Sequence, residues 1–232
     1  EADGTRIAVD CGLHQGSNFC ERHNWEPFPY PPESLAAVFV THAHIDHTGR
    51  LPALAKAGFQ GAVYSTPPTR DAAALLLADS DHILAQEAER FKKPLLFIPE
   101  DIASLMARWK GIEYHERVTV GPFTVTLYDA GHILGSSFVV VEAEGETIVF
   151  SGDLGNAPAP LIGAPEQYTG RPTYALVEST YGDRVHEDLP ERKEILEDVI
   201  EDTVKRGGVL MIPAFAMERT QELLFEINNL IE

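Results

Sequence analysis

Residues 38–50, "VFVTHAHIDHTGR", run from apolar and β-branched side chains into His42, His44, Asp46 and His47, three histidines and an aspartate within six positions. His42 and His44 are two residues apart after what reads as a buried strand, so both side chains leave one side of an extended segment and converge. The continuation "DHTGRLPALAKAG" reads as a turn into a helix, which puts Asp46 and His47 where the chain changes direction and lets them aim at a neighbouring point. Neutral imidazole nitrogen and carboxylate oxygen both suit zinc. The spacing thus offers two imidazoles to one metal and a carboxylate plus an imidazole to a second.

The elements that must position these groups are legible as alternating β-rich and helical runs. "TRIAVD", "AAVFVT", "AVYST", "FTVTLYD", "SFVVVEA", "ETIVFSGD", "YALVES" and "GVLMIPA" read as strands, several continuous enough to be buried on both faces. "PPTRDAAALLLADSDHILAQEAERF", "EDIASLMARWK", "PERKEILEDVIEDTVKRGG" and "AMERTQELLFEINNLIE" read as helices, the third stopped by Gly207 and Gly208. The sum is a layered α/β fold. The Pro- and Gly-rich stretch 155–172 reads as a surface loop between two strands.

Composition limits the partners. With 232 residues and 44% hydrophobic content the chain can bury a sizeable core, and no apolar run approaches the ~20 residues that span a bilayer, so no membrane partner is expected. Cys11 and Cys20 are too few for a disulfide framework, which makes a reducing cytoplasm the default location. The chain begins at "EADGTRIAVDCG", already inside a strand pattern and without methionine, and reads as a piece of something longer. Eighteen Lys plus Arg against 36 Asp plus Glu give a formal charge of −18, which repels polyanions at long range, so nucleic acid is not the first guess from charge. His23, His82 and His115 are lone histidines without ligand spacing and read as surface or core residues.

"THAHIDH" resembles the HxHxDH signature of the metallo-β-lactamase fold, an αββα sandwich with a di-metal site at the strand ends. "AVDCG" resembles its first motif and implies that Asp10 orients the metal histidines. "DAGHILGSS" resembles the third and makes His132 the remaining ligand of the first metal; "FSGDLG" resembles the fourth and makes Asp153 the bridge between two metals. An Asp at a buried strand end, followed by Gly155, leaves the room a bridge needs. "VESTYGDRVH" and "IPAFAMERTQELL" are more specific and resemble the β-CASP nucleases, the RNA-processing branch of that fold. Glu178 is then expected to pair with a downstream histidine that protonates the leaving oxygen, and His186 is a substrate-contact candidate.

The resemblance implies two Zn²⁺, held by His42, His44 and His132 and by Asp46, His47 and Asp153, with a hydroxide between them and Asp46 in hydrogen-bond reach of it. Residues 1–207 would form the metallo-β-lactamase-like domain, short of its N-terminal strands, and 208–232 would enter a β-CASP domain. Single-stranded RNA is the expected partner, and a homodimer stays open. Two alternatives remain at this level: a small-molecule, thioester-type hydrolase of the same fold, which would have no use for Glu178, and an inactive RNA-processing subunit, which would have no chemical need for six ligands.

Overall fold

The computed structural model describes residues 1–185 and 189–231; His186 lies outside the described residues. The chain divides into two compact units, Glu1–Gly155 with Pro165–Glu178, and Asn156–Ala164 with Ser179–Glu232.

The first unit holds two sheets. Strands β1 (Arg6–Val9), β2 (Leu35–Phe39), β3 (Ala62–Ser65) and β4 (Trp109–Gly111) pair in that order, all parallel. Their crossovers carry the helices that parallel pairing requires: α1 (Asn18–Glu21), α2 (Ile45–Thr48), α3 (Leu51–Lys56), α4 (Pro67–Phe91) and α5 (Pro99–Met106). Strands β5 (Arg117–Val120), β6 (Phe123–Asp129), β7 (Ser137–Ala143) and β8 (Glu146–Phe150) form an antiparallel meander, and β9 (Tyr174–Leu176) adds to β8 in parallel after the long loop.

The two sheets share one core. Ala37 and Phe39 of β2 pack with Val125 and Leu127 of β6 and with Val139 and Val141 of β7. Phe39 is fully buried and stacks on Tyr64 at 5.2 Å, a burial that contributes ~1.5–3 kcal/mol. The opposite face of β7 presents Phe138 and Val140, which with Ala130 are covered by Tyr128, Val149 and Tyr168. "SFVVVEA" is therefore apolar without alternation because both of its faces are covered, as expected.

Two expectations are corrected and one strand is added. "EDIASLMARWK" is not one helix: α5 ends at Met106, and Trp109 pairs with Val63 while its indole nitrogen donates to Ser65 Oγ at 2.8 Å. A buried hydrogen bond and a ladder partner outweigh the helical pattern there. "RVTV", given no element by the sequence, forms a hairpin with β6 around Gly121 (φ +58°). "GVLMIPA" makes no ladder; Val209 and Met211 are 87% and 85% exposed, and a strand-like pattern without a neighbour to accept its N–H groups is not a strand.

The second unit carries α6 (Leu189–Lys205) and α7 (Arg219–Ile231), tied by Lys193 Nζ and Glu226 Oε2 at 3.0 Å. Gly207 (φ +65°) ends α6 as expected, with Gly207 N–H on Val204 O and Gly208 N–H on Thr203 O. Among the described residues no helix is long and apolar enough to cross a membrane.

Candidate metal centre

Every site residue named from sequence and described here follows a strand of the first unit. Asp10 follows β1, His42 to His47 follow β2, His132 follows β6, Asp153 follows β8 and Glu178 follows β9. Two glycines allow the close approach. Cys11 N–H donates to His47 O at 2.8 Å and Leu13 N–H to Ile45 O at 2.9 Å; between them, a Cβ on Gly12 would lie 1.5 Å from Asp46 O. Gly155 N–H donates to Ala130 O at 2.8 Å, and a Cβ there would lie 1.6 Å from Gly131 O. Any side chain at either position would push apart the segments that bear the ligands.

His42 Nε2 lies 3.1 Å from His44 Nδ1, and His132 Nε2 lies 3.3 Å from the same atom. Asp153 Oδ2 completes the group at 3.6 Å from His42 Nε2 and 3.5 Å from His132 Nε2. A tetrahedron with metal–ligand bonds of ~2.1 Å has edges of ~3.4 Å, so these four atoms already occupy the corners of a zinc-sized site. Asp153 Oδ1 points the other way, 3.2 Å from His47 Nε2, which is 3.8 Å from Asp46 Oδ2. Among the described residues, these are the two groups of His, Cys, Asp or Glu able to hold a metal ion, and Asp153 belongs to both.

The outward ring nitrogens fix the tautomers. Asp10 Oδ2 lies 2.7 Å from His47 Nδ1, and its carboxylate also accepts from Thr41 N–H and Thr41 Oγ1, each at 2.8 Å. Having given its single proton to Asp10, the Thr41 hydroxyl is an acceptor for His42 Nδ1–H at 3.0 Å. Both His42 and His47 therefore carry hydrogen on Nδ1 and turn Nε2 toward the cluster. Asp10, itself in a left-handed conformation (φ +60°), orients one histidine directly and another through Thr41.

Charge agrees with that wiring. Burial lowers the pKa of His42, with the nearby His47 adding to the effect, and burial likewise lowers His44 and His132. Three neutral imidazoles with free lone pairs are what a first cation requires. Burial also acts to lower His47, but its hydrogen bonds to Asp10 and Asp153 and their charges outweigh it and raise it to about 10. Asp153 is held at about 2, chiefly by the hydrogen bond from His47, against the opposing effect of burial.

Several positioning groups have no sequence signature. Thr66 Oγ1 and Thr69 Oγ1, both buried at the start of α4, donate to Gly135 O at 2.6 and 2.9 Å, and Ser136 Oγ accepts from His132 N–H at 3.0 Å. These bonds fix the loop that carries His132. Thr41 O accepts from Ser137 N–H at 2.7 Å and so joins the end of β2 to β7 in the other sheet. Glu178 Oε1 accepts from Leu154 N–H at 3.3 Å, next to Asp153, and its charge is felt at His132. His23 and His115 stand apart from the cluster, paired with Glu26 and Glu166.

Residues 5–203 match the family described as Beta-lactamase superfamily domain. The chain belongs to this superfamily. Its two sheets have the metallo-β-lactamase fold expected from the motifs. Over 224 residues this β-lactamase-superfamily chain is 38% identical to Ribonuclease TTHA0252 of Thermus thermophilus, covering 97% of the chain and 49% of that protein. Transcription termination factor FttA of Methanosarcina mazei is 34% identical over 98% of the chain and 36% of its own length. Cleavage and polyadenylation specificity factor subunit 3-I of Arabidopsis thaliana is 34% identical over 97% of the chain and 32% of its own length. The chain thus spans half or less of the length of these relatives.

Proposed function

We propose that this chain is the metal-bearing part of a zinc-dependent ribonuclease that hydrolyses RNA phosphodiesters. The observation that carries the reading is the orientation of Asp153, whose two carboxylate oxygens face two separate donor groups at 3.2–3.6 Å. Relatives named for RNA cleavage, polyadenylation and transcription termination support the substrate class, together with the β-CASP wording of "VESTYGDRVH" and "IPAFAMERTQELL". Residues 1–207 are read as the metallo-β-lactamase-like domain and 208–232 as the entry into a β-CASP domain.

His42, His44, His132 and Asp153 would hold one zinc ion, and Asp46, His47 and Asp153 a second. Bound there, the pair supplies Lewis-acid chemistry: it lowers the pKa of water and offsets charge on the phosphate oxygens. The chain's own contribution is positional. Asp10 and Thr41 keep the Nε2 lone pairs of His47 and His42 aimed inward. Asp46, 47% exposed at its side chain, accepts a hydrogen bond from the attacking water. Glu178, beside Leu154 N–H, orients the group that protonates the leaving oxygen.

The test is cleavage of labelled single-stranded RNA by the full-length protein that carries this chain, with metal analysis and a chelator control. Close to two zinc ions per chain and chelator-sensitive cleavage are expected. Metal-replete protein that leaves RNA intact while hydrolysing a thioester would overturn the reading in favour of a small-molecule hydrolase.

A further inference from the structure

We propose that the segment after β1 carries a stacking contact for one unpaired RNA base at the rim of the metal centre, built from Phe19, Arg22 and His23. The inference rests on the ribonuclease reading and adds to it a place for the strand beyond the scissile phosphate. Phe19 is 62% exposed, a large apolar surface on the short helix α1. The Arg22 guanidinium lies 4.2 Å over its ring, His23 meets the ring edge-on at 5.4 Å, and His14 lies 5.7 Å from His23. His23 in turn meets Glu26 Oε2 at 2.8 Å, and both side chains stay partly exposed. Aromatic faces paired with a guanidinium are how proteins hold unpaired bases without reading sequence.

Position favours RNA over a protein partner. Leu13 bonds to Ile45, Gly12 packs on the Asp46 carbonyl, and His14 is the next residue, fixed by Asn24, whose buried amide accepts from His14 N–H at 2.7 Å and donates to His14 O at 2.9 Å. The segment therefore leaves directly from the backbone that carries Asp46 and His47. Counting Glu26, which meets His23, the charged residues of 13–26 are Glu21, Arg22 and Glu26, a formal −1 within a chain of formal charge −18.

The experiment compares wild-type full-length protein with Phe19→Ala and Arg22→Ala, and with Leu75→Ala as an exposed control on α4. It measures fluorescence-anisotropy affinity for a labelled single-stranded RNA and, separately, its cleavage. Loss of one stacked base predicts affinity weaker by about 5- to 150-fold in Phe19→Ala, less in Arg22→Ala, and none in Leu75→Ala. An RNA with an abasic site at the stacking position should show no further loss in Phe19→Ala. Weakened binding without cleavage by any form would support the contact and overturn the ribonuclease reading. Cleavage by wild type with affinity unchanged in Phe19→Ala would overturn the contact alone and leave the patch to a protein partner. A wild type that neither binds nor cleaves RNA would overturn both.

Discussion

Asp153 Oδ1 stands 3.2 Å from His47 Nε2, where the pair forms an ion pair in the absence of a cation. The aspartate is held at about 2, below its ordinary 3.8, so its contribution to stability is complete above about pH 4 and is lost as pH falls through 2. The histidine is raised from 6.5 to about 10, so its contribution is complete below 6.5 and is lost as pH rises through 10. Chelator-treated protein should therefore melt lower at pH 9.5 than near pH 6.5, by ~2–4 °C for each kcal/mol lost, while the lowered pKa values of His42, His44 and His132 withdraw stability as pH falls below 6.5. A cation must displace the His47 proton, so the margin of zinc-loaded over chelated protein should widen as pH rises through this range. Melting curves at pH 6.5 and 9.5, with chelator and with zinc, check both signs; a metal-free melting temperature higher at 9.5 than at 6.5 would contradict the ion pair.

Asp153 and Asp10 should differ in kind. Asp153→Asn removes the charge shared by both groups and should strip metal from both, with loss of turnover. Asp10→Asn keeps the left-handed backbone, which Asn tolerates at φ +60°, and should lower metal affinity ~10–100-fold while leaving the ligands in place. Elemental analysis after dialysis against graded chelator separates the two; equal retention in both variants would reject the bridge.

The histidine cluster was legible because its ligands are local: strand-end spacing alone converges His42 and His44, and the following turn aims Asp46 and His47. His132, Asp153 and Glu178 were reachable only through motif resemblance, because tertiary structure brings them to β2. Thr41, Thr66 and Thr69 were not legible at all. A hydroxyl has no diagnostic spacing, and its role exists only once Asp10, His42 or the Gly135 carbonyl is opposite. Misread elements follow the same rule: "GVLMIPA" has a strand's residues without a partner, whereas "RWKG" gains a strand from β3 despite a helical pattern.

Thr66→Val and Thr69→Val together leave the Gly135 carbonyl without either buried hydroxyl donor. The cost to stability should be ~1–3 kcal/mol, read by urea unfolding of chelated protein. Because that carbonyl belongs to the His132 loop, zinc should also dissociate faster from the double variant. Thr→Ser at both positions should restore both properties; unchanged zinc release in the valine variant would show that the loop is held by Ser136 alone.

Glu178→Gln is a near-isosteric probe, since the amide oxygen can still accept from Leu154 N–H. In the full-length protein it should leave metal content intact and lower RNA turnover by up to ~10²–10⁴, the span of general-acid assistance. Single-turnover cleavage across pH checks this, and wild-type rates throughout would remove Glu178 from the chemistry.

The donors around Asp153 do not all come from one layer. His42, His44, Asp46 and His47 hang from the parallel sheet, and His132 and Asp153 from the antiparallel one, with Thr41 O to Ser137 as a direct backbone tie between them. Ions bound there would cross-link the layers, and free metal concentration would then become a variable of mechanical integrity as well as of chemistry. At 100 times the dissociation constant an ion that binds only the folded form adds ~2.7 kcal/mol, and that increment resists separation of the sheets. Metal starvation would thus soften the sandwich and open its interior to proteases before any substrate is involved.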